Sequence, residues 1–115
     1  MRDGFLLAAT ATPEVRVADP AYNAEKIIEM MMRAKEKNVS LLVFPELCIT
    51  GYTCGDLFAS QRLAAAALEA LERIRDASRG FGALVFVGVP LRHRGKLYNC
   101  AAAVCGGRIL GAVPK

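Results

Sequence analysis

Residues 41–58 read LLVFPELCITGYTCGDLF. The run from Ser40 to Phe44 is apolar and rich in leucine and valine, as expected of a parallel strand covered on both faces, and Pro45 closes it. One carboxylate, Glu46, then sits between Pro45 and Leu47, ahead of a loop that contains Gly51 and Gly55. In open α/β sheets the crevice outside the carboxyl ends of the strands is where ligands bind, so a charge at this point asks for a reason. Its apolar neighbours are expected to desolvate it in part, raising its proton affinity and making it a base near neutral pH. The alternative is a carboxylate satisfied by the amides of the following loop, and position alone weighs the two equally.

Elements on either side alternate. Phe5 to Thr12 reads as a first strand ended by Pro13. Asp19-Pro20 is a helix entry: the aspartate can cap free amides, and the proline fits the first turn, where its missing N–H costs nothing. The helix is expected to run to about Lys37, with Ala24, Ile27, Ile28, Met31 and Ala34 forming one apolar stripe. A second helix is expected from about Ser60 to Gly80, burying Leu63, Ala67, Leu71 and Ile74. Ala83 to Val89 is then a buried strand ended by Pro90, and Leu97 to Cys105 and Arg108 to Val113 are two more, joined by Gly106-Gly107. The order is β-α-β-α followed by a β-meander, which makes the chain α/β.

Its 115 residues fit a single domain, residues 1–115. Hydrophobic residues make up 54% before the ten glycines are counted, against about 45–50% with glycine included in average soluble domains. That excess implies surface meant to be covered. The final strand ends at Val113-Pro114-Lys115 with nothing to cover it, so the chain reads as cut, and pairing through this edge or packing of apolar faces is expected to make it a homo-oligomer. Replacing Ile109 with lysine is expected to weaken pairing at that edge.

Several function classes fall away. No apolar stretch approaches the ~20 residues needed to cross a bilayer, so no membrane partner is expected. Met1-Arg2-Asp3-Gly4 leads into an apolar run too short for a signal peptide, and a cytoplasmic location is expected. The net charge of +4 is spread over both helices rather than interleaved with aromatics, so no nucleic-acid partner is expected. Only Arg92-His93-Arg94-Gly95-Lys96 is concentrated, and it reads as a hairpin tip in which the sole histidine, His93, has no catalytic part. Cys48, Cys54, Cys100 and Cys105 are spaced too loosely for common structural zinc sites; no metal site is expected, and the four read as reduced, mostly buried thiols. Gly80-Phe81-Gly82 follows a helix and fails as a dinucleotide-binding turn. Gly88 to Lys96 fails as a phosphate loop, with Leu97 where Ser or Thr is required.

Lys115 follows Pro114 as Glu46 follows Pro45, each closing an apolar strand. Such a lysine is ordinarily a solvated charge. If its ammonium reached Glu46, the pair would set a proton acceptor beside a fixed positive charge. That arrangement suits thiol attack on an amide, where the base takes the nucleophile's proton and the cation stabilises the oxyanion.

FPELCITGYTCGDLF at 44–58, VGVPLRHRGKLYNCAAAV at 87–104 and GRILGAVPK at 107–115 together resemble the N-terminal part of the nitrilase, or carbon–nitrogen hydrolase, superfamily. The TCGDLF continuation is most similar to the glutaminase domain of the glutamine-dependent NAD⁺ synthetase branch. The resemblance implies a nitrilase-type α-β-β-α sandwich, of which this chain is the N-terminal portion. It implies Glu46 as general base, Lys115 as catalytic lysine and Tyr52 as a residue lining the pocket for glutamine. The family's nucleophilic cysteine lies beyond the lysine on a strand-to-helix elbow, so this chain is expected to lack it and to be inactive alone. No cofactor is implied for the glutaminase step; ATP and Mg²⁺ are implied only for a synthetase domain outside the chain. A stand-alone amidase or carbamoylase of the same superfamily, and a non-catalytic module that acts by packing against a partner, are the alternatives.

Overall fold

The computed structural model describes residues 4–115; Met1, Arg2 and Asp3, part of the expected cytoplasmic N-terminus, lie outside the described residues. Five strands, β1 (Ala8–Thr10), β2 (Leu41–Val43), β3 (Leu84–His93), β4 (Lys96–Cys105) and β5 (Arg108–Pro114), form one sheet in chain order. The pairs β1–β2 and β2–β3 are parallel; β3–β4 and β4–β5 are antiparallel. Helix α1 (Pro20–Glu36) makes the first crossover and α2 (Gln61–Ala77) the second. Because both crossovers step the same way across the sheet and share one hand, both helices fall on the same face.

Local chemistry explains the helix ends. The Asp19 carboxylate accepts from the Tyr22 amide at 3.2 Å with Pro20 in the first turn, and the Ser60 hydroxyl accepts from the Leu63 amide at 3.3 Å. Of the expected stripe on α1, Ala24, Ile27, Met31 and Ala34 are buried and Ile28 is partly buried. They pack with Ala67, Leu71 and Ile74 of α2 on Leu42, Val85, Val87, Ala102 and Val104 of the sheet. Strand alternation sends Val43, Phe86, Ala101 and Val113 to the opposite face, which no helix covers among the described residues; Val113 is 64% exposed. No described helix is long and apolar enough to cross a membrane.

Three expected boundaries shift, and one of them is the end of α2, which stops at Ala77 rather than Gly80. The first strand is only Ala8–Thr10, because its parallel partner β2 has only three residues to pair with it. Pro90 does not end β3, which continues to His93. The carbonyls of Phe86 and Gly88 accept from Phe44 and Ile49 on the β2 side, so Pro90, two residues further along the same alternation, turns its missing N–H toward a flank that β2 has already left. No bond of the β3–β4 ladder is lost. The meander closes through two-residue turns, Arg94-Gly95 (φ +51° and +78°) and Gly106-Gly107 (φ +57° and +81°), whose positive φ values match the twist of antiparallel neighbours.

Candidate active site

Glu46 leaves the carboxyl end of β2 on a loop that crosses directly over β3. The crossing is possible because residue 88 is glycine: a Cβ there would lie 2.6 Å from the Pro45 carbonyl oxygen and 2.7 Å from the Glu46 carbonyl carbon, and closer still to the Leu47 nitrogen. The loop is fastened at that point by the Ile49 amide, which donates to the Gly88 carbonyl at 3.2 Å. Immediately after Glu46, Leu47 takes φ +53°, a left-handed conformation that a leucine adopts only when its surroundings impose it. The Gly51 amide donates back to the Leu47 carbonyl at 2.7 Å and completes the tight turn.

A second anchor lies beneath. Asn23 of α1 is buried, and its side chain makes three hydrogen bonds. Its Nδ2 donates to the carbonyls of Arg16 and Ile49 at 2.8 Å each, and its Oδ1 accepts from the Arg16 amide at 2.8 Å. One amide thus ties the segment before α1 to the loop that follows Glu46.

From the other side of the sheet come β4 and β5. Lys115 Nζ donates to Glu46 Oε1 at 3.0 Å, and Asn99 Nδ2 donates to the same oxygen at 2.8 Å. The Lys115 amide in turn donates to the Asn99 carbonyl at 2.8 Å. An open trough of about 420 Å³ runs beside the three, walled by Val43, Phe86, Ala101 and Val113 of the uncovered face. The structure therefore brings Glu46 and Lys115 together, 69 residues apart in the chain. Tyr52, on the same loop as Glu46, is 68% exposed and stands outside the residues that wall the trough. Asn99 is the residue that sequence reasoning missed.

The electrostatics differ from the expectation of a carboxylate with raised proton affinity. The Lys115 and Asn99 hydrogen bonds outweigh desolvation and hold the Glu46 carboxyl below its ordinary range, and the Lys115 ammonium is held above its own, first by its hydrogen bond to Glu46. With side chains 38% and 73% exposed, both groups stay hydrated enough for partners, not burial, to decide. Glu46 is thus ionised at neutral pH and ready to accept a proton. The stabilisation tied to its depressed carboxyl is present above the ordinary carboxylate range and lost as pH falls through the native value.

The cysteines are free; Cys48, Cys54 and Cys100 are buried and Cys105 is partly so. Burial pushes the Cys48 thiol up to about 11 from its usual 9.0. The unfolded thiol ionises first, so between those values the folded chain keeps a proton that the unfolded chain has released. Stability is expected to hold below about pH 9 and to drop by roughly 2–3 kcal/mol as pH rises toward 11. Urea midpoints measured across that range check it, and Cys48→Ala should flatten the decline; an equal decline in that variant would assign it elsewhere. No group of three or more His, Cys, Asp or Glu side chains able to hold a metal occurs among the described residues.

The family profile described as carbon-nitrogen hydrolase matches residues 7–112. The chain belongs to the carbon-nitrogen hydrolase family. This carbon-nitrogen hydrolase chain is 36% identical over 112 residues to the glutamine-dependent NAD(+) synthetase of Mycobacterium bovis, covering 97% of itself and 16% of that relative's length. In structure it is similar to a glutamine-dependent NAD(+) synthetase from Cytophaga hutchinsonii, with a TM-score of 0.89 and 34% identity over 96% of this chain and 19% of the other. It is also similar to an amidase from Nesterenkonia sp., with a TM-score of 0.85 and 25% identity over 100% of this chain and 44% of the other. The expected nitrilase-type α/β fold is therefore the fold of this chain, and the described residues form one helical layer and one sheet layer of it.

Proposed function

We propose that this chain supplies the base and the lysine of a cysteine-dependent hydrolase acting on the side-chain amide of glutamine. The ammonia released feeds the ATP-dependent conversion of deamido-NAD⁺ to NAD⁺. The observation that carries this reading is the convergence of Lys115 and Asn99 on Glu46 Oε1 at the carboxyl end of β2, beside an open trough. Glu46 would take the proton of the attacking thiol, and the Lys115 ammonium would stabilise the oxyanion that forms on the amide carbonyl. Tyr52, exposed on the Glu46 loop, is the proposed contact for the glutamine substrate. None of the four cysteines suits the nucleophile. Cys48 and Cys54 are buried in the loop that carries Glu46, Cys100 alternates to the opposite face from Asn99, and Cys105 borders the Gly106-Gly107 turn. The nucleophile and the ATP- and Mg²⁺-dependent synthetase domain are accordingly assigned to sequence beyond Lys115, in a protein at work in the cytoplasm.

The test is an ammonia-release assay with glutamine. The 115-residue chain alone should release none, and the chain joined to its own downstream coding sequence should turn over. Turnover by the chain alone would make one of its four cysteines the nucleophile. A downstream sequence without a cysteine on a strand-to-helix elbow would sink the hydrolase reading; one with the elbow but no ATP-binding domain would leave a stand-alone amidase or carbamoylase.

The uncovered sheet face supports a second reading, a module that acts by packing, and with it the proposal that the chain self-associates. Light scattering at micromolar concentration should detect a homo-oligomer, and a monomer with a cooperative melting transition would refute it. Val113→Lys is the variant to use. Ile109 faces the helices and packs on the core, so Ile109→Lys, the change suggested by sequence, would test folding instead.

A further inference from the structure

Asn99 contacts both members of the pair, Glu46 through its side chain and Lys115 through its main chain. We propose that Asn99 is the positioning residue of the Glu46–Lys115 pair, fixing both groups and reserving one carboxylate oxygen, Oε2, for proton transfer. The inference rests on the reading of Glu46 as base and deepens it.

A carboxylate oxygen offers two lone-pair directions. Those of Glu46 Oε1 are taken by Lys115 Nζ and Asn99 Nδ2, and among the described residues no donor reaches Oε2. A proton arriving at this carboxylate therefore goes to Oε2. The two donors are not equivalent. A lysine ammonium can turn toward an oxyanion forming on a substrate, whereas an asparagine amide on a strand stays where the strand holds it and carries no charge to be drawn away. Asn99 thus keeps the carboxylate oriented while Lys115 is engaged elsewhere. Through its carbonyl it also holds the main chain of Lys115 at the end of β5.

The other titratable groups around the pair are the Tyr52 phenol, on the loop that carries Glu46, and Cys100, which borders the trough while its side chain alternates to the opposite face from Asn99. Neither contributes a hydrogen bond to Glu46 among the described residues.

The experiment follows the Glu46 side-chain carboxyl carbon by NMR through an acid titration of the whole 115-residue chain, with amide dispersion reporting the fold. Asn99→Ala, which removes the donor and adds no charge, should shift the Glu46 midpoint upward while Lys115 remains. An unchanged midpoint in a folded Asn99→Ala chain overturns the proposal. Should that variant lose its dispersion, Asn99→Leu, similar in size and likewise uncharged, decides instead: a raised midpoint supports the proposal, and an unchanged one overturns it. The readout needs no turnover. A failure of the glutaminase reading in the ammonia assay is therefore distinguishable from a failure of Asn99 as the positioning residue.

Discussion

Gly88→Ala is expected to destabilise the chain by about 3 kcal/mol and to lift Glu46 off its two donors. The added methyl would enter a space held by the backbone of Pro45, Glu46 and Leu47, so no side-chain rotation can relieve the clash. β3 cannot retreat, because it is paired with β2 on one side and with β4 on the other. The loop must rise instead, losing the Ile49–Gly88 hydrogen bond and the left-handed turn at Leu47. Overpacking a rigid site costs about 1–3 kcal/mol, and a clash made wholly with backbone belongs at the upper end. A urea melt gives the stability, and the Glu46 carboxyl titration gives the position of the loop: its midpoint should climb as Lys115 and Asn99 are lost. A variant with native midpoints in both measurements would mean that the crossing over residue 88 is loose.

Asn23→Leu is expected to cost roughly 3–5 kcal/mol, because a side chain of similar size leaves the Arg16 amide and the Ile49 carbonyl without their partner and the Arg16 carbonyl with only the Asp19 amide, at 3.3 Å. Against a total stability of about 5–15 kcal/mol for a domain, that loss puts the folded state at risk. The damage should be uneven. Hydrogen exchange is expected to rise most at the amides of Arg16 and Ala18, since Ala18 is bound to the Thr50 carbonyl of the loop that Asn23 holds. Uniform acceleration across α2 and the meander would point to global loss instead. Asn23→Ala, which adds a cavity to the same three losses, should be no more stable than Asn23→Leu.

Much of this architecture is legible in the sequence, for identifiable reasons. The α1 stripe, the Asp19 cap, the start of α2 near Ser60 and the Gly106-Gly107 turn are local signals, each read within a few residues. The meeting of Glu46 and Lys115 is also readable, because both follow a proline at the end of an apolar strand. Asn99 is not readable, and the reason is a bulge. From the Gly106-Gly107 turn, an uninterrupted β4–β5 register would set Asn99 opposite Pro114. The irregularity at Ala103/Val104 shifts the pairing by one residue, placing Cys100 opposite Pro114 and Asn99 alongside Lys115. Nothing in the local sequence marks that extra residue. Pro90 deceived for a related reason, since its tolerance depends on how far β2 extends. The carboxyl of Glu46 deceived because its sequence neighbours Phe44, Pro45 and Leu47 suggest desolvation, whereas two donors from distant strands decide.

The two-residue turns of the meander also set an order of events. Hairpins closed by such turns form in about 1–10 μs, from residues already near one another in the chain. The parallel pairs β1–β2 and β2–β3 must wait until whole helices have been laid across the sheet, a slower search over long chain separations. Asn99 and Lys115 are therefore expected to be in register before Glu46 arrives, with the carboxylate docking last, when its loop settles over Gly88. Assembly of the pair then marks the close of folding, and a fluorescent probe near Glu46 would lag one placed at the Gly106-Gly107 turn.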